Sequence, residues 1–123
     1  MEQVQVMEQV LVADQMQLAF DFAPLVEPQE VGETISEQFE AFHRANPHVY
    51  RQLRALALNY RRAGQKRCGV KMLFEVLRYQ SALKTVGEPW KLNNNYTALY
   101  ARRLMDRESE LTGFFELRER RAD

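Results

Sequence analysis

A single cysteine, Cys68, among 123 residues excludes an internal disulfide and the stapled folds of small secreted domains. The two histidines, His43 and His48, flank Asn46-Pro47 and share no helix face, so zinc-ligand spacing is missing and no metal is expected. The five glycines form no phosphate-cradling loop. Ser36, Ser81 and Ser109 stand outside any nucleophile motif, so neither an enzyme nor a cofactor is expected. No apolar run reaches bilayer length, and the mean hydropathy is -0.49, which argues against a membrane-spanning helix. The opening Met1-Glu2-Gln3 lacks the basic start and apolar stretch of a secretory signal, and a reduced cytoplasmic setting is the expectation.

Charge of one sign is locally absent too. The chain holds 17 basic and 17 acidic residues and is formally neutral. Residues 1–43 carry nine acids and no Lys or Arg; residues 44–107 carry fourteen bases against Glu75, Glu88 and Asp106. From Arg44 to Lys71 there are eight bases and no acid. Such asymmetry points to a polyanionic partner or to an acidic tail.

The hydrophobic periodicity predicts an all-α domain over residues 34–118, a compact bundle of about five helices preceded by a flexible acidic arm (1–33) and followed by a frayed tail (119–123). Thr34-Ile-Ser-Glu37 fits a capping box, and Ile35, Phe39 and Phe42 recur at helical spacing. Asn46 and Pro47 read as N-cap and first residue of a second helix with the stripe Val49, Leu53, Leu56 and Tyr60, closed by Gly64. A third helix from about Val70 to Lys84 is apolar on most sides and so predicted to be buried and central. After a loop over 85–92, Asn94 is the expected cap of a fourth helix with core face Tyr96, Leu99, Tyr100 and Leu104. Leu111, Phe114 and Phe115 predict a short fifth helix.

On these helices Arg51, Arg54, Arg61 and Arg62 fall within about a third of the second helix's circumference, and Lys66, Arg67 and Lys71 extend the same positive region. No acid lies at the spacing that would pair them along the helix. A cation face of this kind suits phosphates, since each neutralised phosphate releases a counterion. The outer side of the fourth helix carries Asn95, Ala98 and Arg102, which with Asn94 at the cap are residue types suited to base edges and close groove approach. The third and fourth helices outline a helix-turn-helix-like pair, although residues 85–92 are long for the turn. The same observations admit plainer readings: a solvated arginine face, a turn-and-cap role for the asparagines, and core-edge packing rather than base stacking for Trp90. Cys68, between basic residues, is either a thiol of lowered pKa or a small packing residue.

The arm has three readings. It can fold back on the basic body and compete with nucleic acid, pack loosely on the core, or act as a peptide. The segment Gln15-Met-Gln-Leu18-Ala-Phe20 resembles the short bacterial sliding-clamp-binding peptide, a resemblance that implies Leu18 and Phe20 as pocket anchors and Gln15 as a polar contact.

The segments Phe42-His43-Arg-Ala-Asn46-Pro47-His-Val49-Tyr50 and Leu92-Asn93-Asn94-Asn95-Tyr96-Thr97, with Tyr100-Ala101-Arg102, resemble small uncharacterised helical proteins encoded by bacteriophages and prophages. The resemblance covers residues 38–118 and implies a mobile-element gene acting in a bacterial cytoplasm, without carrying over any catalytic residue. The expectation is a non-enzymatic protein that binds nucleic acid, duplex DNA in particular. The alternative is an interaction module for a bacterial host protein, such as the sliding clamp. Thirteen Arg against four Lys keeps that alternative open, because Arg is enriched and Lys depleted at protein interfaces.

Overall fold

The computed structural model describes residues 22–84 and 88–117. Among them are four α-helices: α1 (Ile35–Ala45), α2 (Pro47–Arg62), α3 (Val70–Lys84) and α4 (Thr97–Arg107). Short 3-10 turns occupy Asn94–Tyr96 and Ser109–Leu111, and no strand occurs among the described residues. The chain is therefore all-α, with four helices where the periodicity predicts about five.

Local chemistry sets the helix ends. Thr34 Oγ1 accepts the Glu37 N–H at 3.1 Å, the N-cap half of a capping box, and donates to the Glu37 carboxylate at 2.9 Å, where the full box has that carboxylate on the Thr34 N–H. Pro47 opens α2, where its missing N–H costs nothing. Gly64, at φ 105°, takes the left-handed conformation that lets the chain leave α2. The predicted fifth helix does not form. Gly113 turns the chain at φ 71°, and beyond it the backbone pairs with Cys68 instead of coiling.

The core lies where α2, α3 and α4 meet. Leu53, Leu77, Tyr100, Leu104 and Leu111 are fully enclosed, and Phe74 and Phe114 nearly so. Each such leucine contributes about 1.5–3 kcal/mol through removal from water. The Ser109–Leu111 turn lies against both α2 and α4, and so seals one end of the bundle. Helix α4 buries Thr97, Tyr100, Ala101 and Leu104, with Leu99 only half-buried, so its core face is rotated from the one expected.

Helix α3 is not buried all round, as its composition suggests. Val70, Leu73, Phe74, Leu77 and Ser81 face inward, whereas Met72, Tyr79 and Leu83 are exposed. Composition counts apolar residues but not neighbours, and no other described helix covers that side.

Residues 22–27, which the sequence assigns to the arm, are packed on the body. Phe22 is buried and its ring sits 4.9 Å from that of Trp90, whose indole N–H donates to the Ala23 carbonyl at 2.9 Å. Asn46 fixes the same strap. Its Oδ1 accepts the Val26 N–H at 2.7 Å, and its Nδ2 donates to the Val26 and Phe42 carbonyls at 2.8 and 3.1 Å. Asn46 makes no side-chain capping bond to α2. The expected cap is instead a fully buried clamp, because its amide mimics a strand edge for the passing backbone.

Candidate nucleic-acid interface

Helix α2 directs Arg51, Arg54, Arg61 and Arg62 outward, and all four are exposed. They are not all unpartnered. Arg54 Nε donates to the Glu108 carboxylate at 2.5 Å, and Arg62 forks onto Glu110 through Nε at 3.1 Å and Nη2 at 2.9 Å. Both carboxylates come from the turn that follows α4. Leu58, between Arg54 and Arg62 on the same side of α2, is buried. The Arg62 hydrogen bonds hold the Glu110 carboxyl below the usual carboxylate range, so it is ionised at neutral pH. Two of the seven expected phosphate ligands are thus occupied by the protein itself, by acids 54 and 48 residues away in the chain. Spacing along α2 contains no trace of these pairs.

Of the remaining five, Arg51 lies near the start of α2 and has an interaction of its own, and the other four gather where α2 ends and α3 begins. Arg61, Lys66, Arg67 and Lys71 are exposed and make no ion pair among the described residues. The link between the helices is fastened at one point. Cys68 N–H donates to the Phe114 carbonyl at 2.9 Å, and Glu116 N–H donates to the Cys68 carbonyl at 3.2 Å. Glu116 is exposed beside this rail and pairs with none of the four cations. The Cys68 thiol is not activated, contrary to one of its two readings. Burial first, and the Glu116 charge second, push its pKa up to about 11.

The expected groove residues fare unequally. Asn93, rather than Asn94, caps the 3-10 turn by accepting the Asn95 N–H at 2.9 Å, and α4 starts only at Thr97. Asn94 is exposed, but its Oδ1 accepts from Arg78, which also bonds the Leu92 carbonyl and pairs with Glu75. Asn95 and Arg102 are exposed; Ala98 is half-buried. Arg102 shares a groove with Ser36, Phe39, Glu40, Leu99, Arg103 and Asp106, so acids stand beside it. Trp90, at 3% exposure, presents no face for a base to stack on. Gln15, Leu18 and Phe20 lie outside the described residues.

Behind this groove is a cluster that periodicity does not reveal. His43 stacks on Phe39 and meets the Tyr50 and Tyr100 rings edge-on, at 5.4 and 6.1 Å. His43 Nδ1 and both tyrosine hydroxyls have no hydrogen-bond partner among the described residues. Burial lowers the His43 pKa, reinforced by Arg103 and Arg107 and opposed by Glu40, which Arg103 engages. The folded protein therefore holds His43 neutral. The unfolded chain takes up a proton near the ordinary value of 6.5, so this contribution is complete above that pH and lost as the pH falls below it. Thermal melts from pH 7.5 to 5.5 should show a declining Tm, and His43→Asn should flatten the decline. An equal decline in the variant would place the titration elsewhere.

No protein-family model, curated protein or solved structure matches this chain. Among the described residues no three His, Cys, Asp or Glu side chains are grouped as metal ligands, and no helix is long and apolar enough to cross a membrane.

Proposed function

We propose that this chain is a non-enzymatic nucleic-acid-binding protein that grips the phosphates of duplex DNA at the corner formed by Arg61, Lys66, Arg67 and Lys71. One observation carries the reading: four exposed cations within residues 61–71 make no ion pair with a carboxylate among the described residues, although neighbouring Arg54 and Arg62 do, and only Arg61 of the four acts on one at a distance, Glu110. A surface that neutralises some of its guanidiniums and leaves its corner charged suits an external polyanion. The resemblance to phage and prophage proteins supports a bacterial cytoplasm as the setting of this activity. Asn95 and Arg102 of the expected groove set are exposed for a base edge, whereas exposed Asn94 is engaged by Arg78 and Ala98 is half-buried, which makes both secondary.

The test is titration of duplex and single-stranded oligonucleotides at two salt concentrations. Each phosphate contact contributes about 0.9 to the slope of log K against log salt. Arg61→Ala/Arg67→Ala should therefore flatten that slope by roughly 2, whatever the DNA sequence. Arg54→Ala should leave the slope unchanged, since its partner is Glu108. Undiminished binding by the Arg61/Arg67 variant removes the phosphate role.

The second reading is a protein partner in the bacterial host. It is favoured by the excess of Arg over Lys and by the uncovered apolar side of α3. A pull-down comparing the full chain with residues 22–123, which keep the strap held by Asn46 and Trp90, reads it. Loss of a partner with the first 21 residues, without DNA binding by either chain, selects that reading.

A further inference from the structure

The exposed side of α3 carries Met72, Val76, Tyr79 and Leu83 in one line, spaced four, three and four residues apart. Met72, Tyr79 and Leu83 are 41%, 67% and 66% exposed, and Val76 is half-buried. Three observations point to what covers this stripe. The first is the heading of the strap. Val26 is pinned by Asn46 between α1 and α2, whereas Ala23 and Phe22 meet Trp90, whose backbone N–H donates to Ser81 Oγ of α3 at 3.0 Å. Followed from Val26 back to Phe22, the strap crosses from the α1–α2 junction to the C-terminal end of α3 and delivers the preceding 21 residues there. The second is register. Leu18-Ala-Phe20-Asp-Phe22 is apolar at every second position, and Phe22 is buried against the body. Alternate side chains of an extended backbone share a face, which would give Met16, Leu18 and Phe20 the side of Phe22. Their recurrence at ~6.6 Å would match the ~6 Å between helix positions four apart. The third is charge. Residues 1–21 hold Glu2, Glu8, Asp14 and Asp21 and no Lys or Arg. Lys71 and Lys84, at the two ends of α3, are exposed and make no ion pair among the described residues. A second copy would set such cations against their own kind; an acidic segment does not.

We propose that Met16, Leu18 and Phe20 of the same chain seat along this stripe, so that the strap continues over α3 toward its N-terminal end. Length permits it. Met72 lies about 14 Å from Ser81 along the helix axis, a span covered by about four extended residues. The tether favours it. A segment joined at Phe22 meets the stripe at an effective concentration on the order of millimolar, so a modest apolar contact suffices. The seat does not rest on the nucleic-acid reading. Its consequence does: Glu8 and Asp14 come within chain reach of Lys66, Arg67 and Lys71, and the seated segment competes there with an external polyanion.

The test is the alkylation rate of a thiol placed in the stripe, Tyr79→Cys, in the full chain without nucleic acid. Cys68, buried with its thiol neutral, does not interfere. Adding Leu18→Ser/Phe20→Ser should speed the reaction by roughly threefold or more, the scale of a weak contact held by a tether, with the helical circular dichroism unchanged. Met72→Cys reads the far end of the stripe with Tyr79 in place, and the two serines should speed its alkylation as well. In the chain without added cysteines, Leu18→Ser/Phe20→Ser should shift the amide NMR signals of residues 72–83. Rates indifferent to the serines at both thiol positions overturn the seat. Protection that grows with protein concentration from about 10 µM to about 1 mM assigns the stripe to a second copy and overturns it too, because a tethered segment protects equally at every dilution.

Discussion

Asn46→Ala should lower the stability by about 2–4 kcal/mol, read as a Tm fall of roughly 10–20 °C. The change removes three hydrogen bonds to Val26 and Phe42 and leaves their backbone groups short of partners in a fully enclosed site. Asn46→Asp is the sharper experiment. Asp caps helices as well as Asn does, so a simple cap at α2 would tolerate it. In the clamp, Asp keeps an acceptor for the Val26 N–H but loses both donated bonds and buries a charge. Destabilisation by Asp comparable to that by Ala identifies the clamp; near-neutral behaviour of Asp would return the residue to a capping role.

Glu108→Gln/Glu110→Gln should act in the opposite sense on binding. It removes the carboxylates that Arg54 and Arg62 engage while keeping side-chain shape, and these pairs stand in half-exposed positions where solvent screens them, so stability should change little. If the corner holds phosphates, Arg54 released beside it steepens the salt slope by roughly 1, and the ratio of affinities at 50 and 200 mM salt grows about threefold. A slope identical to that of the unaltered chain would mean that the α2 face lies outside the nucleic-acid footprint. The turn after α4 would then serve only to close the bundle.

Periodic and local features were legible in the chain. The Thr34 N-cap, Pro47 at the start of α2, and the inward stripe with Val49 and Leu53 all follow from spacing, and all are present. Features made between distant residues were not. Arg54 meets Glu108 and Arg62 meets Glu110 only after the bundle closes, so inspection three or four places along α2 finds no acid. Asn46 looks like a cap because the residue types favoured there are also those that grip a passing backbone. Helix α3 carries enough apolar residues to seem central, yet burial depends on what packs around it. The loss of a fifth helix turns on Gly113, whose positive φ sends Phe114 and Phe115 toward Cys68.

Both backbone polar groups of Cys68 are spoken for by Phe114 and Glu116, one on each side, at the point where Lys66 and Arg67 leave the bundle. The lysine and arginine stems can swing, but the main chain beneath them is anchored. A ligand meeting this corner finds its charges tethered to a fixed base and must conform to their layout, with little ordering of the main chain left to oppose the encounter.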